Sequence, residues 1–459
     1  MFGWKGKSID RGIYLGHFLD ENGRLHGPVY YPHTIHGCII GPNGAGKGTG
    51  LIINNVASLR RSIFIIDPKG EAAAITARSR AKLGPVVIIN PFNTLADELP
   101  HLKDHGYNPL AGLDPRHDNF IDDATGIGIA LIKERGDSNA LFFSASAEDF
   151  LTMMVGQECI INGRNANLGN VRRKLTEPLA RSESGADIGL LRTIREISQS
   201  HCEPLRFKAS RFLAGTRSNM DIVSTAINET RFLDSPPIRR SLGGPGFDWD
   251  RLKREIVTCY LILPADRLES HANYLRLIVT SALRSLLRSP PGDTLPPVLF
   301  LLDEFAQLGY LPPVENAMGI ARGFGVQLLP VLQDLNQLHA LYRDRWQSFI
   351  ANAGFISAYA PRDMFTAEYL SRLCGKERRN VRSQSAGALG NVSYSDSPHD
   401  FDLLRPEDLM KMASGQLLNL VSGSNPFFTR ASPYWETPHG RDLDPNPYYK
   451  PFKQRKRAS

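Results

Sequence analysis

The sequence predicts an α/β fold: a mostly parallel sheet covered by helices on both faces, with an all-helical insertion. Three observations lead there. Short apolar runs recur along the chain, at His36–Ile40, Ser62–Ile66, Val86–Ile89, Val257–Leu263, Val298–Leu302, Val326–Leu332, Phe355–Ala358 and Leu417–Val421. They are continuous rather than alternating, as strands buried on both faces are, and helical-looking segments separate most of them. From about Asp122 to Lys208 the strand pattern stops. There Leu151, Met154, Val155 and Cys159 recur at helical spacing, as do Leu191, Ile194 and Ile197.

Composition fits such a fold. Of 459 residues, 42% are hydrophobic and 22% charged, ordinary for a soluble globular chain large enough to bury a sizeable core. The net charge of +7 permits a nucleic-acid or anionic-membrane partner without demanding one. The insertion carries Arg164, Arg172, Arg173, Lys174, Arg181, Arg192 and Arg195, read first as a solvated helix face and second as a partner surface. Five scattered cysteines without C-x-x-C spacing exclude a disulfide framework or a cysteine zinc site and suit a reducing cytosol. Met1–Asp10 lacks the apolar core of a signal peptide, and no apolar run nears the roughly 20 residues of a membrane span. Gly387–Pro398, rich in Gly and Ser, is expected to form a mobile loop, and the tail with Lys450, Lys453, Arg455, Lys456 and Arg457 to be disordered.

The strongest chemical signal is Gly41-Pro42-Asn43-Gly44-Ala45-Gly46-Lys47-Gly48-Thr49, between a strand ending at Ile40 and a helical stretch through Leu51. This is the setting of a phosphate-binding loop. Its glycines let backbone N–H groups of Gly41, Asn43, Gly44, Ala45, Gly46, Lys47, Gly48 and Thr49 turn toward phosphate oxygens at a helix N-terminus. Lys47 adds a point charge for the β- and γ-phosphates of ATP. The residue after the lysine usually supplies a hydroxyl to Mg²⁺; here it is Gly48, which leaves Thr49 or a water as the candidate ligand.

The second signal is the strand-like Leu299–Leu302 ending in Asp303 and Glu304. Ligands of open α/β sheets gather at that end of the strands. Asp303 is the candidate to hold Mg²⁺ through water, and Glu304 to polarise the attacking water. Arg322 precedes the strand from Val326 and is a candidate arginine finger for a neighbouring subunit, with a surface ion pair as the alternative. Gln333 ends that strand, as a γ-phosphate sensor or a plain turn residue. Asp67-Pro68-Lys69-Gly70-Glu71 makes a good turn on the same sheet edge.

These pieces together resemble the coupling proteins of type IV secretion and conjugation, the TraG-type conjugative DNA-transfer ATPases. The resemblance runs from about Ile13 to Val421. It rests on Gly41-Pro42-x-x-x-Gly46-Lys47-Gly48, Asp67–Glu71, Asn90-Pro91-Phe92, Asn108-Pro109-Leu110, Leu302-Asp303-Glu304-Phe305, and the Arg322 and Gln333 neighbourhoods. It implies a RecA-like P-loop ATPase using ATP and Mg²⁺, with residues 1–121 and 216–435 as its two sequence parts, 122–215 as the helical insertion and 436–459 as a basic tail. It implies a hexamer at the cytoplasmic face of the inner membrane, feeding single-stranded DNA bound to relaxase, or protein substrates, to the secretion channel. Members of that family begin with membrane-spanning helices, which this sequence lacks; that leaves three readings, a soluble form, docking on a separate inner-membrane anchor protein, or a chain cut short, with a cytoplasmic place peripheral to the inner membrane expected. Two other readings compete: a nucleotide-gated recruitment adaptor with little hydrolysis, and an ABC-type ATPase, against which stands the absence of a Ser-Gly-Gly-Gln-type signature.

Overall fold

The structure, a computed structural model, describes residues 12–133, 138–214, 216–292, 295–386 and 392–448. In chain order the strands are β1 (Ile13–Leu19), β2 (Leu25–Tyr31), β3 (His36–Ile40), β4 (Ile63–Asp67), β5 (Val86–Ile89), β6 (Leu179–Arg181), β7 (Asp187–Ile188), β8 (Thr258–Ile262), β9 (Val298–Leu302), β10 (Val326–Leu332), β11 (Ala353–Ala358), β12 (Lys376–Ala386), β13 (Val392–Asp402), β14 (Gln416–Val421) and β15 (Phe427–Arg430). The chain divides into two compact units, Met1–Leu59 with Leu329–Arg441, and Arg60–Leu328 with Asp442–Ser459.

In the first unit the strand order is β2-β1-β15-β14-β11-β3-β10. β3 lies between two parallel neighbours, with Ile40 opposite Leu332 on one side and Ala358 on the other. Every residue of β3 is buried, which is why its sequence reads as an unbroken apolar run. The other pairings, from β11 outward to β2, are antiparallel. Apart from that sheet stands a long hairpin, β12 against β13, in continuous register from Lys376 opposite Asp402 to Ala386 opposite Val392. Arg378 pairs with Asp400 (2.9 Å) and Arg382 with Asp396 (3.4 Å) across one face. Residues 392–398, expected in a mobile loop, are therefore strand; cross-strand ion pairing replaces the apolar signal that marks the other strands. Residues 387–391 lie outside the described residues.

In the second unit β9-β4-β8-β5 are parallel throughout. The core strands β4, β8 and β9 are buried at every position. Asp67 closes β4 in a buried position. Its Oδ2 accepts the Ala73 N–H (2.8 Å) at the start of helix Glu71–Ala81, and Gly70 takes the left-handed conformation (φ 67°) that the tight turn needs. Asp67-Pro68-Lys69-Gly70-Glu71 is thus a built turn. Asn90 and Asn108 brace two further turns in the same way. The Asn90 carboxamide accepts Thr94 N–H (2.9 Å), and the Asn108 carboxamide accepts Leu110 N–H (3.0 Å).

Burial pushes the Asp67 carboxyl up from 3.8 to about 6, against the pull of the backbone N–H groups it accepts. The folded value lies above the unfolded one, so the folded state binds this proton more tightly. Stability from this group falls as pH rises from about 4 to about 6 and stays lost above that. Asp67→Asn keeps the acceptor and removes the buried charge. It is expected to raise stability at pH 7.5 by roughly 1–3 kcal/mol and to flatten the pH 4–6 slope, read from Tm against pH. An unchanged slope would remove Asp67 as its source.

The segment after β5 is helical, from Phe120–Leu131 and Ser138–Asn162 through Leu168–Leu175, Gly189–Ile197, Glu203–Ser210, Arg217–Glu229 and Pro236–Leu242. Leu151, Met154, Val155 and Cys159 are buried at their helical spacing. In the later helix Leu190 joins Ile194 and Ile197 in the core, while Leu191 is half-buried. The helices are interrupted by a small ribbon, β6 with β7, and they run on past residue 215 to Arg254. The arginines here are largely committed inside the segment. Arg172 is buried, with Nε and Nη2 on both carboxylate oxygens of Asp234 (2.8 and 2.7 Å) and Nη1 on Ile227 O (2.6 Å). Lys174 meets the buried Glu158, which also accepts from Asn162 and Asn170, while Arg181 and Arg195 share Asp187. These pairs fix the helices to one another and use up much of the basic face.

The start of the predicted basic tail is also tied down. Asp444 N–H donates to Ile75 O (3.0 Å), and the Tyr448 hydroxyl donates to Lys69 O (2.5 Å). Lys450, Lys453, Arg455, Lys456 and Arg457 lie outside the described residues. Among the described residues, no helix is long and apolar enough to cross a membrane.

Candidate nucleotide site

Residues 41–49 lie where a phosphate-binding loop belongs, at the carboxyl end of β3 and leading into a helix. Gly41 N–H donates to Leu332 O (3.0 Å), which places the loop's first residue beside the end of β10 and brings Gln333 next to it. Gly44 (φ 79°) and Gly46 (φ 95°) hold left-handed backbone, and a β-carbon on Gly44 or Gly48 would project into open space. The loop therefore presents bare backbone, as a phosphate nest requires. The helix opens with a wide turn over Lys47–Ile52, closed by Ile53 N–H on Gly48 O.

Lys47 is buried, and its ammonium folds back over the loop onto Gly41 O (2.5 Å) and Pro42 O (3.3 Å). Both acceptors are backbone carbonyls of the loop, and they hold the ammonium over it. Tyr359, which no sequence signal singled out, is the floor. Its N–H donates to Ile40 O (2.8 Å), its hydroxyl to Gly46 O (3.2 Å), and its ring lies so close under Gly41 that a β-carbon there would come within 2.8 Å. Burial pushes the Tyr359 phenol well above its usual range, so the hydroxyl stays a donor at any working pH. One sequence signal points to it without singling it out: the residue after an apolar run, at a strand's carboxyl end, is a standard place for site residues.

The carboxylates belong to the second unit. Val298–Leu302 (β9) is buried throughout, and Asp303 and Glu304 follow at its carboxyl end. Ile66 is in register with Leu302, so Asp67 and Asp303 leave neighbouring strands side by side. Glu304 holds a left-handed backbone (φ 52°, ψ 42°), a conformation that costs a non-glycine residue about 1 kcal/mol or more and concentrates at functional sites. Its N–H donates to Asp303 Oδ1 (3.0 Å). Arg322 is exposed in the turn Ala321–Phe324, and its side chain makes no hydrogen bond or ion pair among the described residues. The loop, Gln333 and Tyr359 are thus held by one unit, and Asp303, Glu304 and Arg322 by the other.

No group of three or more His, Cys, Asp or Glu among the described residues forms a metal cage. This donor set fits Mg²⁺, which is usually held by one or two carboxylates, water and substrate phosphates. Thr49 faces the cavity beside the loop. The open space at Gly48 allows a direct test. Gly48→Ser restores the usual hydroxyl without a clash, and Mg²⁺ titration of nucleotide binding is expected to shift to about threefold or more lower Mg²⁺. No shift would mean that Thr49 already fills the role or that the ion sits elsewhere.

Comparison with known proteins agrees with this geometry. The family described as "Type IV secretory system Conjugative DNA transfer" matches residues 4–456. The chain is 26% identical over 403 residues to the conjugal transfer protein TraG of Agrobacterium fabrum, covering 85% of this chain and 59% of that protein. It is 27% identical over 434 residues to the protein VirD4 of Rhizobium radiobacter, covering 90% and 60%. It spans about 60% of the length of these relatives. Among solved structures it is similar in fold to the plasmid coupling protein TrwB in complex with ADP and Mg²⁺, with a TM-score of 0.63 at 14% identity over 86% of this chain and 84% of that one. With the family's pattern matched from end to end over a loop, strand-end carboxylates and sheet that fit it, the chain belongs to the type IV secretory system conjugative DNA transfer family.

Proposed function

We propose that this chain is the motor of an ATP-driven coupling protein, hydrolysing ATP with Mg²⁺ to recruit and move single-stranded DNA, as a relaxosome, or protein substrates to a type IV secretion channel. The observation that carries the reading is the bare-backbone loop of Gly41–Gly46 with the buried Lys47 at the end of β3. Lys47 stabilises charge on the transferring phosphoryl group. Asp303, with Thr49, holds Mg²⁺, which neutralises phosphate charge when bound. Glu304 accepts a proton from the attacking water, and Gln333 orients that water or senses the γ-phosphate. Arg322 serves the site of a neighbouring copy, its lack of a partner among the described residues leaving it free to reach outward.

The proposed domain organisation is a RecA-like domain in two sequence parts, 1–121 and 216–435, with a helical insertion over 122–215 and a basic tail over 436–459; the run of helices that begins at Phe120 supports the start of the insertion. The working assembly is a homo-hexamer, peripheral at the cytoplasmic side of the inner membrane, with channel components and an inner-membrane anchor protein as partners. The test is phosphate release by the purified protein with and without single-stranded DNA. ATP hydrolysis stimulated by DNA is expected. Nucleotide binding with no hydrolysis under either condition would favour the recruitment adaptor instead, and no nucleotide binding would overturn both.

A further inference from the structure

A cavity of about 460 Å³ opens within the second unit, a size in the range of small-ligand sites, roughly 300–1,000 Å³, and it shares no residue with the nucleotide site. Asn108 and Pro109, from the Asn-Pro-Leu turn, form part of its wall, and hydrogen bonds fasten them in place. Tyr107 N–H donates to Ser241 O (2.8 Å), Asn108 N–H to Pro245 O (3.1 Å) and the Asn108 carboxamide to Ala166 O (2.8 Å). The aromatic part of the lining offers ring surface rather than polar groups. The Trp249 indole N–H is spent on the Tyr107 hydroxyl (2.8 Å), both residues are buried, and Phe247 stands edge-on to Trp249. Burial pushes the Tyr107 phenol up to about 12, so that wall carries no charge at neutral pH.

The polar end is an arginine. Among the described residues, four charged side chains line the cavity: Asp123, Asp248, Arg284 and Arg288. Arg288 pairs with Asp123, and Asp248 with Arg254. Arg284, half-buried on the helix Ala272–Arg288, makes no ion pair among the described residues. Its guanidinium lies across the bare backbone of Gly126, where a β-carbon would come within 2.6 Å of Cζ, and Nη2 donates to Asp122 O (3.1 Å). Burial first, and the neighbouring Arg288 second, push this guanidinium below its ordinary range. A partly desolvated cation with no anion against it is costly until one arrives.

We propose that this cavity binds a monocarboxylate carried on an apolar group, with the carboxylate on Arg284 and the apolar group against Leu113, Ile127, Phe247 and Trp249. The inference does not rest on the nucleotide reading and stands or falls without it. Each lining carboxylate already has its cation, so one cationic charge is left without an ion-pair partner, and a single negative charge balances it. The planar guanidinium matches a carboxylate through two parallel N–H···O bonds. A phosphate monoester brings up to two negative charges and a nucleic-acid segment more, and the described lining holds no second unpaired cation for them. Two sources carry the required chemistry, a free small acid and the terminal residue of a polypeptide.

The test is calorimetric titration of the full chain with four probes: 3-phenylpropanoate, 3-phenylpropanamide, phenyl phosphate and an N-acetylated peptide ending in phenylalanine. The acid or the peptide is expected to bind with a Kd of about 1 mM or tighter, and the uncharged amide about tenfold more weakly or worse. Whichever of acid and peptide binds more tightly names the source, and binding of either supports the site. Arg284→Met keeps the length of the side chain and removes its charge; it is expected to lower the affinity about tenfold or more. Gly126→Ala guards against a folding defect in that variant. It puts a methyl group where the guanidinium lies, keeps the charge and suits a helix interior. It is expected to lower the affinity about threefold or more in a protein whose Tm does not fall. The proposal is overturned by acid and peptide that both fail to bind at about 10 mM, or by amide or phenyl phosphate that binds as tightly as the acid. Affinity within about twofold of wild type in both variants would overturn it too.

Discussion

Lys47→Ala is expected to abolish ATP hydrolysis. The structure holds its ammonium over the loop by the loop's own backbone, on Gly41 O and Pro42 O. Removing it takes away charge stabilisation from the transition state of phosphoryl transfer, an effect on the order of a hundredfold or more in rate for a comparable preorganised donor. Nothing else in the loop supplies a replacement, because Gly48 and Gly46 carry no side chain. The fold is expected to survive, since the bonds to Gly41 O and Pro42 O are made within the lysine's own loop. Phosphate release at wild-type rate, in a protein whose Tm is unchanged, would sink the site assignment.

Arg322→Ala is expected to bind ATP normally and hydrolyse it slowly, by about a thousandfold if the side chain works as a finger in a neighbour's site. Complementation distinguishes that role from a local one. Glu304→Gln keeps the shape of the carboxylate and loses its basicity, so on its own it should bind ATP and trap it. A mixture of the two inactive proteins should recover activity, because a Glu304→Gln copy lends its Arg322 to a copy with Glu304 intact. Specific activity of the wild type should also rise with protein concentration as copies associate. An Arg322→Ala protein that hydrolyses ATP almost normally would return the residue to the surface, where an ion pair is worth about 0–1 kcal/mol. An inactive variant that no mixture rescues, with mixed oligomers shown to form, would place the arginine in its own subunit's site.

Why some of this was legible in the sequence follows from what each residue is buried against. All eight continuous apolar runs are strands, because β3, β4, β8, β9 and β10 are covered on both faces and have no solvent side to encode. The strands that went unseen have a different chemistry. β1 and β2 pair antiparallel with bulges and carry Gly16, Gly27 and Pro28, which break any periodic signal. β12 and β13 are written in charge rather than in apolar contact. The candidate phosphate loop could be picked out because its glycines and lysine are adjacent in sequence. Tyr359 could not be, because the chain brings it to the loop from 313 residues away. The basic residues of the helical segment were visible, but their partners were not: Arg172 meets Asp234, 62 positions on.

The β12–β13 hairpin keeps a different clock from the sheet it leaves. Among the described residues it is one ladder wide, with no further strand on either outer flank, and its ion pairs are solvent-exposed. A two-stranded ribbon with no third strand and only the helix Met364–Cys374 touching one strand is marginal in water. Its amides should therefore exchange with deuterium through opening events far less costly than global unfolding, while those of β3 wait for the whole unit to open. Because salt screens exposed pairs, the gap between the two rates should widen as ionic strength rises.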